Sequence, residues 1–385
     1  MSYAGTRTIF DADSHLMELG DFLDDYVSPA ERELLARGLF EARAERIGEA
    51  VAASELRRAD AEKAAEAEAR LMQDKGWAAM GGWDTAERSR VLDLLGFEAQ
   101  LVFATFGTIL YKATDKIDIY SGTSAFNRAI ADFCSTDKRL LAVANIPLTD
   151  PKRAVVAATE AIEVGCSAIM VPSTPAGDRS PTHPDLDGFW DLLSEADVPF
   201  VLHVGGGGRG LDPAFHNNDM PVSDHLGGGE NVRSKDYLAI QHSPEVFLGV
   251  MILDGLFDRF PKLRGGCIEQ GADWVVSWLR HLDGALRSFS KTEEPLRRLT
   301  RKPSEYAREH LKFTPFPGEP IGWMIEQAGP ELFMFSSDYP HPEGTTDPIG
   351  KFDAAFGSTT LTDQDRFYAG NFVEMMGDRL VRVGA

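Results

Sequence analysis

The sequence has few cysteines, no excess of basic residues and no long apolar run, and each shortage excludes a class of protein. Its cysteines, Cys134, Cys166 and Cys267, lie far apart without CxxC spacing. A disulfide framework is therefore not expected, and buried thiols in a reducing compartment are. The formal net charge is −21, which disfavours nucleic acids and anionic membranes as partners because both attract basic surfaces.

No apolar segment approaches the length of a membrane-spanning helix, and no basic region followed by an apolar core begins the chain. We therefore expect a cytoplasmic protein without a signal peptide. Hydrophobic residues make up 43% and aromatic residues 10% of the 385 residues. This composition allows a large core, in two average domains or in one barrel with insertions.

Eight short apolar segments alternate with helical patterns. Most are continuously apolar, which is typical of strands buried on both faces. An open doubly wound sheet would need a glycine-rich turn after its first strand, where this chain has LMELGDF. We therefore predict a single (β/α)8 TIM-type barrel. The predicted strands are residues 8–17, 99–106, 140–148, 166–173, 199–206, 264–271, 311–316 and 331–340.

Helix end signals support this pattern. Asp84 and Glu87 stand at capping-box spacing before a helix that Gly96 ends. Residues 41–72 are rich in Ala, Glu and Arg and contain no proline, which predicts a helical insertion after the first strand, spanning about residues 35–80. This insertion could cap a pocket, form the arm of a homodimer, or be a solvated pair of surface helices.

The stretch FDADSHLME, residues 10–18, places Asp11, Asp13 and His15 at alternate positions of the first strand. In a regular strand all three side chains share one face. Buried carboxylates are tolerated when they coordinate an ion. The sequence therefore suggests a metal site that begins here.

Two further residues, His203 and Asp338, lie near the ends of the fifth and the eighth predicted strands. Barrel active sites lie at the carboxyl ends of the strands. These side chains could therefore meet Asp13 and His15 at that end of the barrel. Imidazole and carboxylate ligands suit Zn²⁺, Mn²⁺ or Fe²⁺. For any single histidine, a structural role is the alternative.

Four segments together resemble the amidohydrolase-related family, the branch of the amidohydrolase superfamily that contains aminocarboxymuconate semialdehyde decarboxylase. The similarity runs from about residue 8 to residue 377. It implies a distorted (β/α)8 barrel with one divalent metal ion, Zn or Mn, whose ligands match Asp13, His15, His203 and Asp338. The segments are DADSH, FVLHVG, GLFDRFPKLRGGCIEQGADWVVSWLRHLD and FSSDYPHPEG.

This chain departs from the family pattern at two positions. It has Asp13-x-His15 where the family commonly has His-x-His, and the harder carboxylate favours an ion such as Mn²⁺. It has Glu269 where many relatives place a histidine on the sixth strand. Glu269 could be a general base, an additional ligand or a group that orients one. The fourth strand has no lysine that could bridge two metals as a carbamate, which indicates a mononuclear site.

The catalytic hypothesis centres on Asp338, which could ligate the metal and also move a proton from an activated water to the leaving group. His341 could be a second proton carrier or a substrate contact. The main hypothesis is a metal-dependent hydrolase of an amide, ester or lactone. The alternatives are a non-oxidative decarboxylase of an aromatic or unsaturated carboxylic acid, and a non-catalytic binding module.

The loop after the fifth strand, residues 205–235, is long enough to suggest a substrate lid. Arg209 could bind an acidic group of a small-molecule substrate, and His225 and Phe106 are weaker candidates for substrate contacts. Loops line the pocket, so the sequence does not identify the substrate.

Overall fold

Seven parallel strands follow one another around a curled sheet in their chain order. The computed structural model describes residues 2–206, 211–221 and 234–380. The order matches the predicted βα repeat, because each parallel strand needs a crossover before the next. The strands are β1 (Phe10–Leu16), β2 (Ala99–Ala104), β3 (Leu140–Asn145), β4 (Ala168–Met170), β5 (Phe200–His203), β6 (Gly265–Ile268) and β7 (Leu311–Phe313).

The segment predicted as the eighth strand lies between β7 and β1 but is not a regular strand. Met334 N donates to Phe313 O of β7 (2.9 Å), and His15 N of β1 donates to Tyr339 O (2.7 Å). Asp338 has φ 54°, which regular strand geometry does not allow. The segment therefore fills the place of an eighth strand with irregular backbone.

Helices connect the strands and cover the outside of the sheet. Short 3₁₀ turns cover Gly76–Ala78, Pro184–Leu186 and Pro213–His216, and a π-helical turn covers Arg366–Gly370. The α-helices are α1 (Pro29–Arg32), α2 (Gly38–Glu41), α3 (Ala44–Ala59), α4 (Ala61–Ala69), α5 (Thr85–Leu95), α6 (Gly107–Lys112), α7 (Ile119–Cys134), α8 (Pro151–Glu163), α9 (Asp187–Ala196), α10 (Ser234–Tyr237), α11 (His242–Leu253), α12 (Leu256–Arg259), α13 (Trp274–Phe289), α14 (Glu294–Arg298), α15 (Pro303–His310), α16 (Ile321–Ala328), α17 (Pro348–Ala355), α18 (Leu361–Asp365) and α19 (Asn371–Met376).

The predicted ends of α5 are confirmed. The Asp84 carboxylate accepts the Glu87 N–H (2.9 Å), and Gly96 ends the helix with φ 71°. These are the local causes of a helix start and a helix stop. The Glu87 side chain instead binds a residue of the insertion, so the expected capping box is only half formed.

Two buried apolar clusters lie on opposite faces of the sheet. Leu101 and Val201 belong to the smaller cluster, whereas Val102 and Leu202 belong to the larger one beneath the helices. This alternation follows from the two-residue period of a strand. His203 therefore shares the face of Val201 and projects into the barrel.

The expectation that Asp11, Asp13 and His15 share one face is wrong for Asp11. The register of β1 against β2 shifts between Asp11 and Ser14. One additional residue in β1 resets the alternation of side chains. Asp13 and His15 consequently point towards His203, and Asp11 does not.

The helical insertion forms α3 and α4, which are mostly exposed, and a buried ion pair joins it to α5. Arg57 Nε and Nη2 each lie 2.9 Å from an oxygen of Glu87. The side chains are only 8% and 7% exposed. Ser54 Oγ and Gly81 N also donate to this carboxylate, so all of its main acceptor positions are used.

We predict that Glu87→Gln destabilises the protein by about 3 kcal/mol, because the substitution leaves the Arg57 charge buried without its partner. Urea unfolding followed by circular dichroism measures the change. Glu66→Gln is the matched control, since the Lys63–Glu66 pair is 44% and 55% exposed and water and salt screen such a pair. Equal effects of the two substitutions would contradict the prediction.

Candidate metal centre and active site

Six side chains meet at the carboxyl ends of the strands. His15 Nε2 lies 3.1 Å from Asp13 Oδ1, and His203 Nε2 lies 3.2 Å from Glu269 Oε2 and 3.4 Å from Asp13 Oδ1. Atoms that ligate one ion at about 2.1 Å lie about 3 to 3.5 Å apart. These spacings therefore match those of a ligand shell. The six are Asp13, His15, His203, Glu269, Asp338 and His341.

The donors fall into two overlapping groups, within each of which all donor atoms lie within 4.8 Å of one another. Each group could hold a metal ion. Asp338 does not fall in one group with Asp13 and His203, although the sequence analysis placed the three together. The groups are Asp13, His15, His203 and Glu269, and His15, Glu269, Asp338 and His341.

The donor set is buried and short of hydrogen bonds. Asp13 and His15 are each 1% exposed, and the side chains of Glu269 and Asp338 are 12% and 15% exposed. Buried polar atoms normally have partners, so a cation would satisfy these donors. Among the described residues, the cluster atoms that find no hydrogen-bond partner outside the cluster are Asp13 Oδ2, His15 Nδ1, His15 Nε2, Glu269 Oε2, Asp338 Oδ1 and His341 Nδ1.

The orientation of His203 suits a ligand. Its Nδ1 lies 2.9 Å from Val204 O, and a carbonyl oxygen can only accept, so Nδ1 carries the proton. In the neutral ring Nε2 is then the free acceptor, and it faces Asp13 and Glu269. Metal-binding histidines are commonly held in this way through their second nitrogen.

Burial and mutual charge separate the pKa values of the site. Burial alone would raise the pKa of Asp13, but His15 and His203 outweigh it and hold this pKa below its usual range. Burial, and then the charges of Asp338 and Asp13, raise the pKa of Glu269 well above its usual value. Neighbouring carboxyl groups whose pKa values are shifted in opposite directions are typical of sites of acid–base chemistry.

Asp338 and His341 form a second pair at the more exposed end of the cluster. His341 Nδ1 lies 2.9 Å from Asp338 Oδ1. Burial raises the pKa of Asp338 to about 6, although His341 opposes the rise. Burial would lower the pKa of His341, but Asp338 outweighs it and raises this pKa. A proton can therefore be held by this pair near neutral pH.

Glu269 and Asp338 also share an unusual backbone conformation, with φ 54° at each. Left-handed backbone is disfavoured for residues with a Cβ atom and costs on the order of 1 to 3 kcal/mol. Glu269 lies where β6 ends, and Asp338 lies where the irregular segment ends. The surrounding structure thus holds both residues in a backbone conformation that residues with a Cβ atom do not favour.

Asp11 is a structural support, as its separation from the cluster suggests. Its carboxylate accepts from Ser337 N (2.8 Å), Ser337 Oγ (2.6 Å) and Gln100 Nε2 (2.7 Å). These bonds join β1 to β2 and to the segment that carries Asp338. Burial raises the pKa of Asp11 to about 7, against the effect of these hydrogen bonds.

Two residues that support His341 are not predicted from the sequence. Thr105 Oγ1 lies 2.8 Å from His341 Nε2. The Glu18 carboxylate accepts the N–H groups of Thr105 and Gly107 at 3.1 and 2.7 Å. The two residues lie within two positions of the ends of β1 and β2, so the strand-end rule that predicts His15 and His203 could have predicted them as well.

Of the three predicted substrate contacts, Arg209 and His225 lie outside the described residues. Phe106 is partly buried and stacks on Trp77, with ring centroids 5.1 Å apart. Its ring thus contributes to the packing between the start of α6 and the 3₁₀ turn Gly76–Ala78. Its contact with a substrate stays a prediction.

A profile of the amidohydrolase family matches residues 10–371. The chain belongs to the amidohydrolase family. This agrees with the resemblance found in the sequence, and it places the chain in a family of enzymes. Among the described residues, no helix combines the length and the apolar character that a membrane span requires.

Solved structures share the fold over nearly the whole length of the chain. An amidohydrolase from Mycobacterium avium subsp. paratuberculosis K-10 is 20% identical, with a TM-score of 0.71 over 97% of this chain and 100% of its own. The 2,6-dihydroxybenzoate decarboxylase from Rhizobium is 18% identical, with a TM-score of 0.61 over 99% and 100%.

The 5-carboxyvanillate decarboxylase from Novosphingobium aromaticivorans DSM 12444 was solved with manganese and 4-hydroxy-3-methoxy-5-nitrobenzoic acid. It is 16% identical, with a TM-score of 0.63 over 97% of each chain. At these identities the likeness establishes the fold, which is the predicted TIM-barrel type.

We predict that Mn²⁺ or Zn²⁺ raises the melting temperature of the apoprotein and that a chelator reverses the change. An ion at about 100 times its Kd stabilises the folded state by about 2.7 kcal/mol. Differential scanning calorimetry measures the shift. Asp13→Asn should abolish most of it, whereas Asp191→Asn, at an exposed position, should keep it. Equal shifts in both variants would count against a site at Asp13.

Proposed function

We propose that this protein is a metal-dependent non-oxidative decarboxylase of an aromatic carboxylic acid. The observation that carries the proposal is a buried four-donor cluster adjoining the Asp338–His341 pair, whose closest atoms are 2.9 Å apart. A cation site and a proton carrier side by side are what such a reaction requires. The substrate is a small molecule.

In this proposal Asp13, His15 and His203 hold one divalent ion, Mn²⁺ or Zn²⁺, and Glu269 completes the donor set. The buried atoms of this set that find no hydrogen-bond partner outside the cluster fit such an ion. The set offers both oxygen and nitrogen donors, which suit both metals. When bound, the ion supplies positive charge for a substrate carboxylate and a neighbouring oxygen.

Asp338 holds the proton that the reaction needs. The bond between the ring carbon and the carboxylate carbon breaks, CO₂ leaves, and the electron pair stays on the ring. Asp338 delivers its proton to that carbon, and His341 lies beside it to replace the proton. Burial raises the pKa of Asp338 above its usual range, which favours the protonated form that a proton donor needs.

Hydrolysis of an amide, ester or lactone is the second candidate. The match to the amidohydrolase family and the likeness to the Mycobacterium amidohydrolase favour it. Here Asp338 takes a proton from the attacking water and passes it to the leaving group. The two decarboxylases of the same fold favour the first candidate.

A substrate panel separates these two reactions. The protein loaded with Mn²⁺ or Zn²⁺ is incubated with hydroxybenzoates and methoxybenzoates, and separately with aromatic amides, esters and lactones. We expect CO₂ release from an acid. Acid or amine release from the second group, without CO₂ from the first, would replace decarboxylation by hydrolysis. A homodimer and a cytoplasmic location remain predictions.

We predict that Asp338→Asn lowers kcat by about 100-fold or more, because general acid–base groups contribute factors of that size. Steady-state kinetics with the best substrate of the panel measures the loss. Asp191→Asn makes the same chemical change at an exposed position and should retain full activity. Full activity of the Asp338 variant would remove Asp338 from the mechanism.

A further inference from the structure

Asn145 is a buried residue that the candidate metal centre does not use. It is the last residue of β3 and is 4% exposed. Val143 belongs to the buried cluster inside the barrel, whereas Ala144 and Ile146 belong to the cluster beneath the helices. The side chain of Asn145 therefore shares the inner face of β3 with Val143. It projects into the barrel at the carboxyl ends of the strands, where the donor cluster also lies.

The backbone of Asn145 is fixed, but its side-chain amide has no partner. The backbone N–H donates to Asn127 Oδ1 of α7 (2.8 Å), and the backbone carbonyl accepts from Asn127 Nδ2 (3.4 Å). The side-chain amide makes no hydrogen bond to any residue in the ranges that the structure describes. Buried amide groups normally have a hydrogen-bond partner. This amide is therefore available to a molecule that enters the barrel.

The neighbours of Asn145 on the inner face are apolar. Met170 is its partner in the register of β3 against β4, and Phe103 lies at the same end of β2. The ring centroid of Phe103 lies 4.4 Å from that of His203. A Cβ atom on Gly206, three residues after His203, would lie 3.7 Å from Met170 Cε. Asn145 thus stands between two apolar side chains that both reach the surroundings of His203.

The charge around the donor cluster is unevenly distributed. Glu269 and Asp338 lie at the ends of β6 and of the irregular segment, whereas residues 103–106, 145–149 and 170–174 contain no charged residue and no histidine. A charged substituent of a substrate would lie without a partner beside β2, β3 and β4, which is costly in buried surroundings. A neutral amide suits a hydroxyl group there, because an amide can both accept from a hydroxyl and donate to it.

We propose that Asn145 determines specificity by hydrogen bonding to a hydroxyl group of the substrate ring, while Phe103 and Met170 contact the ring itself. This hydroxyl is separate from the oxygen beside the carboxylate that the ion would bind. The inference rests on the proposed function. It narrows the substrate to an aromatic monocarboxylic acid that carries a further ring hydroxyl.

Calorimetric titration of the whole protein loaded with Mn²⁺ tests the inference independently of turnover. The probes are 2-hydroxybenzoate, the 2,3-, 2,4-, 2,5- and 2,6-dihydroxybenzoates, and the dicarboxylate 4-hydroxyisophthalate. At least one dihydroxybenzoate should bind about 10- to 100-fold more tightly than 2-hydroxybenzoate, because only the additional hydroxyl gives the buried amide its partner. The dicarboxylate should bind more weakly than 2-hydroxybenzoate.

Substitutions of Asn145 should remove this preference. Asn145→Leu keeps the volume of the side chain and removes the amide, so the preferred dihydroxybenzoate should lose its advantage over 2-hydroxybenzoate. Asn145→Ser introduces less apolar surface and provides the same comparison if the first variant does not fold. Gln327→Met replaces an amide at an exposed position on α16 and should keep the full preference. Circular dichroism and Mn²⁺ uptake establish that each variant is folded and holds the ion.

An equal preference in the wild type and in the Asn145 variants would overturn the inference. A wild type that binds no dihydroxybenzoate more tightly than 2-hydroxybenzoate would overturn it as well. Release of CO₂ from the same acids is measured separately. Selective binding that depends on Asn145, without CO₂ release from any acid, would overturn the proposed decarboxylation and keep the role of Asn145. CO₂ release with equal preferences would do the reverse, so the two failures are distinguishable.

Discussion

Negative charge buried at the mouth of the barrel is the constraint on which the rest of the site depends. Removing a carboxylate from water costs several kcal/mol even after the protein relaxes. The fold meets this cost differently at each residue. Asp11 receives three hydrogen bonds from Ser337 and Gln100, Asp13 lies beside two imidazoles, and burial raises the pKa of Glu269 well above its usual value. The donors that remain unpaired are those that a cation would bind.

The register shift in β1 explains why two aspartates two residues apart differ so much in their surroundings. Without it, Asp11 would add a further carboxylate to the cluster. The additional residue between Asp11 and Ser14 turns Asp11 towards the neighbouring strand and the irregular segment, where it joins three parts of the chain. The same irregularity leaves Asp13 and His15 facing the barrel. The register shift in β1 thus positions the candidate ligands Asp13 and His15 and also the supporting residue Asp11.

Much of this could be predicted from the sequence, because the rule that barrel sites lie at the carboxyl ends of strands is local and general. It found His15, His203 and Asp338. The register shift could not be predicted, since it depends on pairing with β2, far away in the chain. For the same reason, the sequence does not determine that Glu269 and His203 belong to one group of donors. The eighth strand was predicted from apolar character alone, which says nothing about the left-handed backbone at Asp338.

Decarboxylation and hydrolysis make similar demands on the cluster, since each needs a cation site and a proton transfer at Asp338. Substitutions within the cluster will therefore impair either reaction and cannot tell them apart. Which bond of the substrate breaks must therefore depend on how the substrate is oriented against the cluster. The residues just before Gly76 lie beside the segment that carries Asp338, since Gly76 N donates to Pro340 O (2.7 Å). Lys75 lies there, half-buried, and its Nζ donates to Thr345 O (3.1 Å). The Lys75 ammonium group adds positive charge near Asp338, which would favour an anionic substrate at this end of the cluster.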